Sequence, residues 1–131
     1  MSTLLQTPGV TDARPKPDRD AIRQMVRSYY GSLRTNKDLK SGACCTTAPW
    51  PAWKAEIINL LHPTVTERYF GCSSPDGLAL EGATVLDLGC GCGHDAFVLS
   101  KLVGPEGKVI GWDMMPEHLD VARETVRHHM D

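Results

Sequence analysis

The run Val85-Leu86-Asp87-Leu88-Gly89-Cys90-Gly91-Cys92-Gly93 constrains the fold of this chain more than any other stretch. Thr84 to Leu88 is short, β-branched and aliphatic, the composition of a buried parallel strand. Three glycines at alternate positions break it, and His94 to Val103 then reads as a helix. Strand, glycine turn and helix are the parts of an α/β nucleotide crevice, where ligands sit at the carboxyl ends of strands. A dinucleotide fingerprint requires G-x-G-x-x-G. Gly89 and Gly91 satisfy it, but the third position is His94 and the glycine falls at Gly93, giving D-x-G-x-G-x-G with Asp87 on the strand. Lys108 to Trp112 reads as the next strand, and Asp113 ends it at a spacing of about 20 residues from the glycines. An acid there can accept hydrogen bonds from both hydroxyls of a ribose. Asp87 is a candidate for orienting the loop or attracting cationic groups of a ligand.

Upstream, residues 18–34 predict a helix, with Ile22, Met25, Val26, Tyr29, Tyr30 and Leu33 along one face. Asp18 or Asp20 is its cap. The stripe is expected to be packing surface, with Tyr29 and Tyr30 at the edge of a site. Residues 35–51 are polar and irregular and carry Cys44-Cys45. Helical pattern returns over Ala52 to Leu61, and Pro63 opens a short helix to about Tyr69. Phe70-Gly71-Cys72 ends it, and a loop over 73–82 leads to the glycine strand. Gly104-Pro105 stops the helix after the loop. Pro116 opens a last helix with Leu119, Ala122 and Val126 on one side. The expected organisation is a disordered tail over 1–17, a helical segment with loop cysteines over 18–82, and the first two βα units of an α/β domain over 83–131.

Composition narrows the function. A chain of 131 residues, 23% charged and 41% hydrophobic, suits one globular domain. A formal charge of −2 offers no electrostatic case for nucleic acid. No apolar run approaches the roughly 18–20 residues that cross a bilayer, so no membrane partner is expected. Five cysteines, two of them in the glycine loop, do not look like a secreted disulfide framework, and a reducing cytoplasmic compartment fits better. Cys90, Cys92 and His94 form a C-x-C-x-H run, but the glycine loop explains them as tolerated positions between glycines. Adjacent Cys44-Cys45 is poor spacing for zinc, so no metal is assigned.

The D-x-G-x-G-x-G variant resembles motif I of the class I S-adenosylmethionine-dependent methyltransferases. That cofactor has no phosphate, so the glycines would serve close backbone approach to its amino-acid and ribose portions. Tyr29-Tyr30-Gly31, Asp38 through Thr46 (DLKSGACCT), Arg68-Tyr69-Phe70-Gly71-Cys72, Val85 through Asp95, Val98 through Gly104 and Val109 through Met114 together resemble the arsenite methyltransferase family. The resemblance implies an incomplete class I methyltransferase (Rossmann-like) parallel sheet preceded by a helical N-terminal segment. It also implies transfer of the sulfonium methyl of S-adenosyl-L-methionine to trivalent arsenic, presented as arsenite or its thiol conjugate. A thiol reductant of the glutathione or thioredoxin type would be the partner. Cys44 and Cys72 match the family's N-terminal thiols, with Cys45 an alternative to Cys44. Asp87, Gly89, Gly91, Gly93, Asp113, Met114 and Gly71 match cofactor positions, Met114 beside the adenine and Gly71 toward the methionine end. His94 stands where many relatives have arginine, and Cys90 and Cys92 often appear there as serine. Family members continue with further strands and two further arsenic-gripping cysteines, so the 131 residues are expected to be the N-terminal portion of such an enzyme and inactive alone. The competing expectations are a class I methyltransferase for another small molecule, such as a lipid or quinone, and a non-catalytic arsenite- or thiophile-binding fragment.

Overall fold

The computed structural model describes residues 18–39, 50–71 and 79–129; the tail over 1–17 and the segments holding Cys44, Cys45 and Cys72 lie outside the described residues. Strand β1 (Thr84–Leu88) pairs in parallel with β2 (Lys108–Trp112), in register from Thr84 opposite Lys108 to Leu88 opposite Trp112. Two parallel neighbours need a crossover, and helix α4 (His94–Val103) supplies it, starting directly after the glycine loop. Gly104 and Pro105 end α4 where the sequence indicates. Helix α5 (Pro116–Thr125) begins with proline in its first turn, where a missing N–H leaves no bond unmade. A 3-10 turn over Val126–His129 follows.

Ahead of the sheet come α1 (Arg19–Ser32), a 3-10 turn at Asn36–Asp38, α2 (Ala52–Ile58) and α3 (Pro63–Glu67). Helix α2 is shorter than its pattern predicts. Leu60 and Leu61 donate to Ile57 and Ile58 three residues back, so the last turn tightens and swings Leu61 inward. There Leu61, Val65 of α3 and Phe97 of α4 form the core, with Ile57 and Ile58 against it. Val98, Leu99 and Val103 complete the buried side of α4. The helical segment thus packs on the α/β part through α2 against α4 and α3 against α5.

Two expectations are corrected. The apolar stripe of α1 packs only in part among the described residues: no residue of the helix is buried and Ile22, Met25 and Tyr29 are exposed, while Val26 and Tyr30 are half-buried. Helix α1 is capped by Asp18, whose carboxylate accepts from the Asp20 N–H at 2.9 Å. Arg27 reaches the Met114 carbonyl at 3.2 Å, and the Tyr30 ring lies 6.3 Å from Phe70. The glycine strand is not buried on both faces. Leu86, Leu88, Ile110 and Trp112 share the face away from α4 and are 43–71% exposed, because no described helix lies across it. Leu119, Ala122 and Val126 lie on one side as the pattern indicates, lining a common space with α4, although Val126 falls in the 3-10 turn and is exposed; His118 and Thr125 are the buried residues. Among the described residues no helix is long and apolar enough to cross a membrane.

Candidate functional site

Both strands end at one cavity of about 420 Å³, bordered by the glycine loop, the chain after β2, and residues 68–71. Asp113 fixes its floor. One carboxylate oxygen accepts from the Gly91 N–H and the other from the Met115 N–H, each at 2.8 Å. The acid after β2 therefore holds the loop after β1. A carboxylate has about four lone-pair sites, so each oxygen keeps capacity for a further donor such as a ribose hydroxyl. Gly91 has φ +54°, and nothing lies within 4 Å of the place a β-carbon would occupy. A side chain would both strain the backbone and fill that opening.

Asp87, on β1, lines the same cavity. Its Oδ2 is buried without a hydrogen-bond partner, an arrangement that costs free energy until a donor or cation arrives. Burial raises the Asp87 pKa, and the neighbouring Asp95 and Asp113 charges raise it further. Burial also pushes the Cys90 thiol up to about 11, with Asp87 and Asp113 adding to the effect. The buried Cys92 thiol is likewise raised by burial, Arg68 opposing the shift. Neither is a ready thiolate, which suits structural positions between glycines.

The opposite wall is aromatic. Tyr69 stacks on His94 with ring centroids 3.8 Å apart and an interplanar angle of 23°. Its hydroxyl is 3.4 Å from Asp95 Oδ2, and His94 Nδ1 is 3.1 Å from Asp95 Oδ1. Gly71 is glycine for a steric reason: a β-carbon there would lie 2.6 Å from the Tyr69 ring. Three carboxylates, Arg68 and Trp112 therefore border space for a flat base, a diol and a cationic group. The unpartnered Asp87 oxygen and the bare backbone at Gly91 are what a nucleoside bearing positive charge would engage.

Of the residues singled out in the sequence, Asp87, Gly89, Gly91, Asp113, Met114 and Gly71 come together around this cavity. Gly93 does not; it sits on the other side of the loop, 3.5 Å from Ala122 as measured from an added β-carbon, and borders a second space between α4 and α5. Cys44 and Cys72 lie outside the described residues. Of the tyrosines expected at an edge, Tyr30 borders the cavity and Tyr29 does not. Tyr69, Asp95, Trp112 and His118 also border it and were not singled out as site residues. Asp95 carries a readable signal, an acid one residue into the helix after the loop; His118 carries none.

A methyltransferase-domain family model matches residues 79–130. The chain is 41% identical over 111 residues to the arsenite methyltransferase of Aquipseudomonas alcaligenes, covering 84% of this chain and 32% of that protein. It is 42% identical over 116 residues to the arsenite methyltransferase of Mus musculus, covering 87% and 31%. A solved arsenic (III) S-adenosylmethionine methyltransferase from Chlamydomonas reinhardtii superposes with a TM-score of 0.55 at 44% identity, covering 60% of this chain and 26% of that one. The two parallel strands and their helices are consistent with part of a class I methyltransferase fold. By sequence and by fold the chain is similar to arsenite methyltransferases, and it spans about a third of the length of the curated relatives it matches.

Proposed function

We propose that this chain holds S-adenosylmethionine and contributes thiols to the methylation of trivalent arsenic. The observation that carries the reading is Asp113, which ties the glycine loop to the end of β2 beside the unpartnered Asp87 oxygen, in a relative of arsenite methyltransferases. The cofactor supplies an electrophilic methyl on a sulfonium. Gly89 and Gly91 offer bare backbone to its amino-acid end, Asp113 accepts from its ribose hydroxyls, Met114 lies along the base, and Asp87 faces its positive charge. Gly93 sets the start of α4, and Gly71 gives the far wall its close approach. Arsenite, or its thiol conjugate, is held by Cys72 and by Cys44 or Cys45, and the arsenic lone pair is the nucleophile. No strong general base is required, so the chain's contribution is positioning and exclusion of water. A glutathione- or thioredoxin-type reductant keeps the arsenic trivalent, in a reducing, cytoplasmic compartment. Residues 18–82 form the thiol-bearing segment and 83–131 the cofactor-bearing one. The further strands and cysteines of the family belong to the remaining two-thirds of such a protein, so turnover is a property of the longer enzyme.

The test is calorimetric. The 131-residue chain is titrated with S-adenosylmethionine and, separately, with arsenite. Wild type binds both; Asp113→Ala loses about tenfold or more in cofactor affinity (1.4 kcal/mol) and keeps arsenite, whereas Cys72→Ser loses arsenite and keeps the cofactor. Arsenite binding unaffected by removal of Cys44, Cys45 and Cys72 refutes the thiol assignment, and no cofactor binding by wild type refutes the cofactor assignment.

A further inference from the structure

We propose that Asp87 distinguishes the methyl-bearing cofactor from its demethylated product by opposing the sulfonium charge, an inference that rests on the cofactor assignment above. In methyl transfer the acceptor's lone pair forms a bond to the methyl carbon. The carbon–sulfur bond breaks and its electron pair stays on sulfur, so the sulfonium becomes a neutral thioether. S-adenosylmethionine and the S-adenosylhomocysteine left behind share base, ribose and amino-acid end, and differ by one methyl group and one positive charge. Contacts to the shared parts hold both forms alike. Discrimination falls to a group that feels the charge.

Three carboxylates border the cavity, those of Asp87, Asp95 and Asp113. Asp113 accepts from the Gly91 N–H on one oxygen and the Met115 N–H on the other. Asp95 meets the Tyr69 hydroxyl with one oxygen and His94 Nδ1 with the other. Asp87 differs, because its Oδ2 is buried without a partner. Burial, then Asp95 and Asp113, all oppose its charge, while the Arg68 guanidinium engages the Cys92 thiol. A positive charge entering the cavity therefore relieves Asp87 more than its neighbours. An ammonium is held through N–H donors, which need an accessible oxygen. A sulfonium has no such donor and is held by its field, which a buried oxygen exerts across several ångströms of water-poor space. Methyl transfer removes that charge and restores the unrelieved carboxylate, so the product is held less tightly than the cofactor it came from.

The experiment measures the affinity of the 131-residue chain for S-adenosylmethionine and for S-adenosylhomocysteine by calorimetry. Wild type binds the charged form about tenfold or more tightly than the neutral one. Asp87→Asn loses about tenfold on S-adenosylmethionine but binds S-adenosylhomocysteine within about twofold of wild type, so the preference disappears. Retained binding of the neutral form also reports that the variant is folded with its cavity intact. An analogue with an ammonium in place of the sulfonium, and no methyl to transfer, follows S-adenosylmethionine in both proteins. An analogue that follows the neutral form instead overturns the proposal. Equal loss of both forms in Asp87→Asn places the carboxylate at the shared amino-acid end and overturns it as well. So does a wild-type chain that binds both forms equally, which leaves the cofactor assignment standing. A wild-type chain that binds neither form overturns the cofactor assignment and this proposal together.

Discussion

At the scale of single residues the cavity places a stability cost and a binding group on the same atom. Asp87 Oδ2 is buried and unpartnered, and burial together with Asp95 and Asp113 raises the Asp87 pKa. The folded chain therefore holds the Asp87 proton more tightly than the unfolded chain, and stability is lost as pH rises through the folded-state value. Asp87→Asn removes that cost. In denaturant titrations at neutral pH the unliganded variant has the higher midpoint, and the gap narrows as pH falls toward the ordinary carboxylate value of 3.8. The same variant binds S-adenosylmethionine about tenfold more weakly, or 1.4 kcal/mol. A lower midpoint at neutral pH would refute the assignment. Which residues border the cavity was largely legible, because Asp87, Gly89 and Gly91 are contiguous and Asp113 ends the next strand. What each carboxylate does was not. Asp87 was a candidate to orient the loop, but the bond to Gly91 comes from Asp113. The Tyr69–Asp95 contact joins residues 26 positions apart, and no spacing rule reaches across that distance.

At the scale of elements, hydrophobic pattern located faces but not their partners. Strand β1, α4 and β2 fall where alternation and glycine punctuation put them. The stripe on α1 marks a real helix yet leaves Ile22 and Met25 in solvent, since periodicity states which residues share a side and not what covers it. Likewise the strand composition signals two buried faces, and only the face toward α4 is covered in the described residues. Leu86 and Ile110, side by side on the open face, are 57% and 43% exposed. Contiguous apolar sheet surface of this kind favours association. Replacing both, as Leu86→Lys with Ile110→Lys, is expected to raise the monomer fraction of the 131-residue chain in sedimentation-velocity runs. Cofactor affinity should stay unchanged, because neither residue borders the cavity. An unchanged association profile would place the contact elsewhere.

At the scale of the whole molecule, a histidine group joins the last turn to the helical segment. His129 Nε2 accepts from the His62 N–H at 3.0 Å, its ring lies 4.4 Å from Phe97, and His128 and Lys101 are nearby. An imidazole nitrogen accepts only when unprotonated. Burial, then the charges of His128, His62 and Lys101, lower the His129 pKa from its ordinary 6.5. The folded chain therefore binds this proton less readily than the unfolded chain. The stabilisation is present above pH 6.5 and lost as pH falls from there through the folded-state value. Thermal melts should show a smaller decrease in Tm between neutral and mildly acidic pH for His129→Gln, which keeps an acceptor that does not titrate; an equal decrease would exonerate His129. The bond between Asp113 and Gly91 has a different reach. It makes one side of the cavity a cassette that residues 87–115 close among themselves, while Val26, Tyr30 and residues 68–71 come to its rim from earlier in the chain. On the function proposed above, heredity can revise what receives the transferred group by rewriting the earlier stretch, and the apparatus that presents the group passes on intact.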